Sequence, residues 1–267
     1  MPLAVCATPI GNLDDITLRV LEELRSADVI LCEDTRHSRV LLDRHGISGA
    51  KLLSYHEHNE AKRTAELLPR LEAGERVALV TDAGMPGISD PGARLVEASL
   101  EQGVPVTVLP GPTAVDTALV AGGFAADRYQ FVGFLPRGAG ALASLWRELA
   151  GWVFPVVAFE SPRRLPATLR SLAAVQPERP VAVCRELTKM FEEVVRGSAA
   201  EVAARFAEPP KGEITLVLGP GGEERDLSGG LEAVAELVAA GVPRRQAAEV
   251  VSRLTGAARN ELYRRTL

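Results

Sequence analysis

The chain has 267 residues, 46% of them hydrophobic and 24% charged, with a formal net charge of −5. That length carries two modest domains or one large one around a real core, and the composition excludes a disordered chain. Net acidity does not advertise a nucleic-acid binder, the four histidines lack a metal-ligand spacing, and three isolated cysteines exclude a disulfide framework.

The N-terminal residues from Met1 read as the approach to a first strand, Leu3–Ala7, since they lack the basic and long apolar regions of a signal peptide. No apolar run nears the roughly 18 residues of a spanning helix, so a soluble, cytoplasmic protein is expected. Further strands are expected at Val29–Cys32, Arg76–Thr81 and Pro105–Leu109, with amphipathic helices between them carried by Ile16, Val20, Leu21 and Leu24, and by Leu67, Leu68 and Leu71. This alternation predicts a mostly parallel sheet covered on both faces, with ligands at the carboxyl ends of its strands.

After a helix at Thr113–Gly122 the rhythm changes. Strands are expected at Gln130–Gly133, Pro155–Phe159, Pro180–Cys184 and Glu213–Leu218, with helices near Ala141–Ala150, Pro162–Ala174 and Ser198–Ala207. The expected domains are therefore an N-terminal α/β domain at 1–115, a second α/β domain at 116–220 and a helical module at 228–267. Gly219–Gly230 has the composition of a flexible linker. The tail from Gly241 carries Arg244, Arg245, Arg253, Arg259, Arg264 and Arg265 against Glu249 and Glu261, a local basic patch in an acidic chain.

Three Gly/Pro-rich turns follow strands: Thr8–Leu13, Thr81–Gly92 and Leu109–Ala114. Glycine permits close backbone approach and proline stiffens the turn, as a ligand gripped by backbone groups requires. Asp82 is placed to accept hydrogen bonds from a ligand ammonium or ribose. The Walker pattern is absent, and Gly138–Ala143 imitates a dinucleotide fingerprint too far from its strand to serve as one. Two polar clusters, Cys32–Arg39 and Ser54–Glu60, offer Glu33, Asp34, His56 or Glu57 as a general base. Arg163, Arg164, Arg185 and Lys189 follow later strands and suit phosphates.

Ala7–Ile16, Cys32–Arg36, Thr81–Gly92, Pro110–Thr113, Phe159–Arg164 and Lys211–Thr215, in this order along nearly the whole chain, resemble the ribosomal RNA small subunit methyltransferase I family of the tetrapyrrole-methylase superfamily. The resemblance implies a two-domain α/β tetrapyrrole-methylase-like fold (class III methyltransferase) with a small C-terminal helical module, S-adenosylmethionine in the cleft between the α/β domains, and a homodimer. It implies cofactor contacts at Pro9, Asp82, Ala83, Gly84, Ile88, Thr113 and Ala114, and from the second domain at Phe159, Glu160, Leu187, Glu213 and Ile214. The expected reaction is 2′-O-methylation of a cytidine in 16S rRNA, on naked RNA or on the assembled small ribosomal subunit. Glu33, Asp34 and Glu57 are the candidate bases, left unranked, and Arg36 binds a phosphate or orients a carboxylate. Arg163, Arg164, Arg185, Lys189, Arg244 and Arg245 are the expected RNA contacts. Methylation of a tetrapyrrole or other small molecule, and a non-catalytic RNA-binding assembly factor, stand as the rival readings.

Overall fold

A computed structural model of the chain describes residues 2–221, 227–255, 257 and 259–266. They fall into two compact units, Met1–Trp146 with Phe154–Gly219, and Arg147–Val153 with Pro220–Leu267.

The first unit begins with a sheet of β1 (Leu3–Cys6), β2 (Val29–Cys32), β3 (Lys51–Ser54), β4 (Val77–Leu79) and β5 (Val106–Leu109). Its order is β3-β2-β4-β1-β5 and every pairing is parallel, as the alternating pattern predicts. β1, β2 and β4 are buried throughout, which is why they read as unbroken aliphatic runs. Helices α1 (Leu18–Ser26) and α2 (Thr35–Arg44) pack Val20, Leu24, Leu41 and Leu42 on Ala4, Cys6, Ile30 and Ala78. Helices α3 (Glu60–Glu72) and α4 (Ala93–Glu101) place Leu67, Leu71 and Leu95 on the opposite residues of the same strands, Leu3, Val5, Leu31 and Leu79.

This two-sided packing locates the ligand crevice. The chain leaves β1 toward one face of the sheet and leaves its neighbour β4 toward the other. Loops that diverge from adjacent parallel strands open a gap at their carboxyl ends, the switch point at which open α/β sheets bind ligands.

The same unit continues through α5 (Ala114–Gly122), β6 (Gln130–Phe134), the start of α6 (Ala139–Ala150), β7 (Val156–Glu160), α7 (Leu165–Ala173), β8 (Pro180–Arg185), β9 (Glu193–Ser198), α8 (Ala199–Arg205) and β10 (Ile214–Leu218). The second sheet has the order β6-β7-β10-β8-β9, with β6 parallel to β7 and the other pairings antiparallel. Strand β9 is absent from the sequence reading, because an edge strand with only two apolar residues, Val194 and Val195, among Glu, Arg, Gly and Ser gives no apolar alternation. α5 packs Ala118 and Leu119 against Val157, Ala182, Cys184 and Val217, and Ile10 from the loop after β1 joins that core. The first loop is thereby anchored in the second sheet. All three cysteines are buried and free.

In the second unit, α9 (Leu227–Ala239), α10 (Arg244–Thr255) and α11 (Arg259–Arg265) share a core of Val234, Ala247, Ala248, Val251 and Leu262. The linker expectation is only partly addressed: residues 222–226 lie outside the described residues, while Leu227–Gly230 is the first turn of α9 and not a linker. Gly230 packs closely against α11, a Cβ there standing 3.1 Å from the Leu262 side chain.

Candidate active site

The crevice is built by backbone first. Thr8 and Gly84 form a two-way bridge, Thr8 N–H donating to the Gly84 carbonyl at 2.9 Å and Gly84 N–H returning to Thr8 at 3.1 Å, and the Thr8 hydroxyl donates to the Thr81 carbonyl at 2.9 Å. Gly84 holds φ +81°, a left-handed conformation that strains any residue with a side chain. The bridge fixes the turns after β1 and β4 against each other. Across the crevice, Asn12 N–H donates to the Thr188 hydroxyl at 3.0 Å, so the turn after β1 also meets the loop after β8.

Between these loops lies a cleft of about 520 Å³, counting its open mouth, lined among others by Pro9, Ile10, His37, Asp82, Ala83 and Lys189. Three non-glycine residues with positive φ, Ser89, Glu186 and Thr188, sit on the loops after β4 and β8. Strain of this kind persists where surrounding structure over-determines it, and it clusters at ligand-gripping loops.

Acidic side chains gather where β2 and β4 end. Asp82 accepts from Asp34 N–H at 3.3 Å and lies 3.5 Å from His37 Nδ1. Burial, reinforced by the charge of Asp82, raises the Glu33 carboxyl above the usual carboxylate range, with His56 opposing. Burial and the Glu33 charge push Asp90 up to about 6. Asp34 behaves oppositely. It caps α2, and its bidentate hydrogen bonds from Arg36, at 3.1 and 2.7 Å, bring its carboxyl down to about 2. Arg36 is thus occupied by a carboxylate. Glu57 is exposed, whereas His56 is half-buried and bonded to Asn59.

Of the residues the resemblance names for a cofactor, Pro9, Asp82, Ala83 and Glu213 line the cleft. Gly84 forms its bridged wall, and Ile88 is exposed farther along the same loop. Thr113 is the N-cap of α5, accepting from Asp116 N–H, and Ala114 packs on the second-sheet core beside buried Leu187. Ile214 is buried in β10. Phe159 belongs to a ring trio with Phe131 and Phe134, and Glu160 is buried, accepting from Ser161 N–H and the Thr168 hydroxyl.

The expected RNA contacts divide. Lys189 faces the cleft, paired with Glu186 at 3.0 Å and Glu213 at 2.9 Å. Burial opposes the Glu186 charge, but the Glu213 N–H and Lys189 hold its carboxyl below the ordinary value. Arg164 donates to the Leu135 carbonyl and pairs with Glu160, and Arg185 pairs with Glu193, so both are engaged within the fold. Arg163 and Arg245 are exposed and Arg244 half-buried. Asp90, His37 and Thr188 escape the sequence reading. Asp90 had a signal, being the second carboxylate of the glycine-rich loop that also carries Asp82.

Two family models match the chain: one described as Tetrapyrrole (Corrin/Porphyrin) Methylases over residues 2–203, the other as RsmI C-terminal HTH domain over residues 226–267. A protein of Mesorhizobium japonicum named ribosomal RNA small subunit methyltransferase I is 43% identical over 99% of the chain and 91% of its own length. One of that name from Thermotoga maritima is 46% identical over 81% of the chain and 97% of its own length. Among solved structures, a uroporphyrin-III C-methyltransferase of Thermus thermophilus complexed with S-adenosylhomocysteine shares the fold at TM-score 0.56 and 21% identity, covering 81% of this chain and 96% of its own. A cobalt-precorrin-4 methyltransferase does so at TM-score 0.60 and 22% identity, covering 81% and 94%.

Proposed function

The chain belongs to the ribosomal RNA small subunit methyltransferase I family, built on the tetrapyrrole-methylase fold, and from that premise we propose that it transfers the methyl group of S-adenosylmethionine to the 2′-hydroxyl of a cytidine in 16S rRNA. The observation that carries this reading is Glu33, a half-buried carboxylate whose proton affinity is raised by burial and by the charge of Asp82, which itself lines the cleft.

The cleft suits the cofactor by its donor set. Asp82 and Glu213 present acceptors for an ammonium or for ribose hydroxyls, Lys189 presents a donor for a carboxylate, and Pro9, Ile10 and Ala83 supply apolar walls. S-adenosylmethionine, when bound, supplies a methyl group made electrophilic by its sulfonium. What remains for the protein is to orient the ribose and remove one proton. Glu33 suits that task because burial and Asp82 raise its proton affinity, and a base works best with a pKa close to the operating pH. Asp34, drawn down by Arg36, holds a proton too weakly, and Arg36 orients that carboxylate. The C-terminal helices, matched to a helix-turn-helix domain and carrying exposed Arg245, Arg253 and Arg259, favour RNA over a tetrapyrrole. The enzyme acts in the cytoplasm, where ribosomes are built, and as a homodimer; exposed Met190 and Phe191 support self-association.

Incubation with labelled S-adenosylmethionine and either unmodified small ribosomal subunits or a tetrapyrrole separates the readings. Label is expected in RNA, and Glu33→Gln is expected to slow its transfer by about 10²–10⁴-fold with cofactor affinity retained. Label in the tetrapyrrole alone would contradict the reading.

A further inference from the structure

Phe134 ends β6 with 65% of its surface exposed, an unusual place for a large ring. It is not loose. Phe159 meets it edge-on at 5.4 Å and is itself backed by Phe131 at 5.0 Å. The pairing of β6 with β7 shifts register between Phe131 and Phe134, with Gly133 at φ +67°, and such a bulge re-aims the side chain that follows. The next residues are braced by Arg164, which donates to the Leu135 and Pro136 carbonyls and is held by Glu160 at 3.4 Å.

Two further features set the ring's surroundings. Ser89 Oγ lies 3.7 Å from where a Cβ on Gly133 would stand, so the strand end abuts the loop after β4 one residue from Asp90. Arg137 follows Pro136 and Arg163 precedes Arg164, so both emerge from the two segments that Arg164 ties together. Each is exposed and has no hydrogen-bond or ion-pair partner among the described residues. An open aromatic ring with two unpaired arginines on the adjoining segments, on a strand end that abuts the carboxylate-bearing loop, matches a nucleotide: a flat base with a phosphate on either side.

We propose that Phe134 is the platform on which the base of the target nucleotide stacks, with Arg137 and Arg163 taking the adjoining phosphates. This rests on the RNA reading above. A ribose inside folded RNA reaches a recessed base only if its nucleotide leaves its stack, and a fixed aromatic surface replaces the stacking lost.

Steady-state transfer to unmodified small subunits tests it. Phe134→Ala is expected to lower kcat/KM roughly 5- to 150-fold, from the usual worth of one base–aromatic stack, with cofactor affinity and oligomeric state unchanged. Phe134→Trp is expected to restore most of the loss and Phe134→Leu little of it. Arg137→Gln with Arg163→Gln is expected to flatten the salt dependence of RNA binding by about 1.4 in log–log slope. Wild-type kcat/KM in Phe134→Ala, rescue by leucine equal to that by tryptophan, or an altered oligomeric state would overturn the proposal while leaving the RNA reading intact. A wild-type enzyme that leaves RNA unlabelled would remove that reading and the platform with it.

Discussion

Glu33 and Asp34 are adjacent, carry the same functional group and end with opposite proton affinities. Asp34 points to solvent, caps a helix and is gripped by Arg36; Glu33 turns inward beside Asp82. The sequence offers both as bases and cannot rank them, because the ranking depends on which side of a turn each faces. Asp90 belongs to the same cluster, and its fate has a measurable sign. Its folded pKa of about 6 lies above the ordinary 3.8, mainly through burial, so the folded state binds its proton more tightly than the unfolded chain. Its contribution to stability is therefore most favourable below about pH 4, falls between about pH 4 and 6, and stays reduced above that. Asp90→Asn is expected to raise the melting temperature at pH 7 and to leave it unchanged near pH 4. A melting difference independent of pH would refute this account of the cluster.

At the scale of elements, the first sheet was open to reading because its central strands β1, β2 and β4 are buried on both sides and its helices carry single apolar faces. Two of the three Gly/Pro turns, those after β1 and β4, meet at the cleft, and their composition alone marked them out. β9 was not legible, and neither was the pairing of the loops, since Thr8–Gly84 and Asn12–Thr188 join residues distant in sequence. Two substitutions separate loop geometry from stability. Gly84→Ala forces a side chain into φ +81° at a cost of about 1–2 kcal/mol and displaces the bridge, so both melting temperature and S-adenosylmethionine affinity should fall. Ser198→Ala removes the capping box of α8, remote from the cleft, and should cost about 1 kcal/mol while transfer persists. Calorimetric titration and thermal melts on both variants check this; equal losses of cofactor affinity would show that the bridge has no special part.

For the whole molecule, a net charge of −5 and an RNA substrate are reconciled by segregation. Exposed arginines of the C-terminal helices lie apart from the acidic cluster in sequence and in fold unit. Yet the Thermotoga maritima relative bears the family's name while matching only 81% of this chain, almost its whole length. A stretch about as long as the helical module is thus dispensable for membership. The tail is then expected to serve affinity and the α/β unit the choice of nucleotide. Arg244→Gln with Arg245→Gln is expected to weaken RNA binding evenly across sequences and lower its salt slope by up to about 1.4–1.8, with the modified position unchanged. A changed site of modification would place selectivity in the tail.

The central claim is that the cluster around Glu33 activates a ribose hydroxyl. Alkaline hydrolysis of ribosomal RNA labelled by the enzyme addresses it directly, because a methyl on the 2′-oxygen blocks cleavage of the neighbouring phosphodiester. Label recovered in an alkali-resistant dinucleotide beginning with cytidine is the predicted result. Label released with single nucleotides would mean a methylated base and would contradict the account.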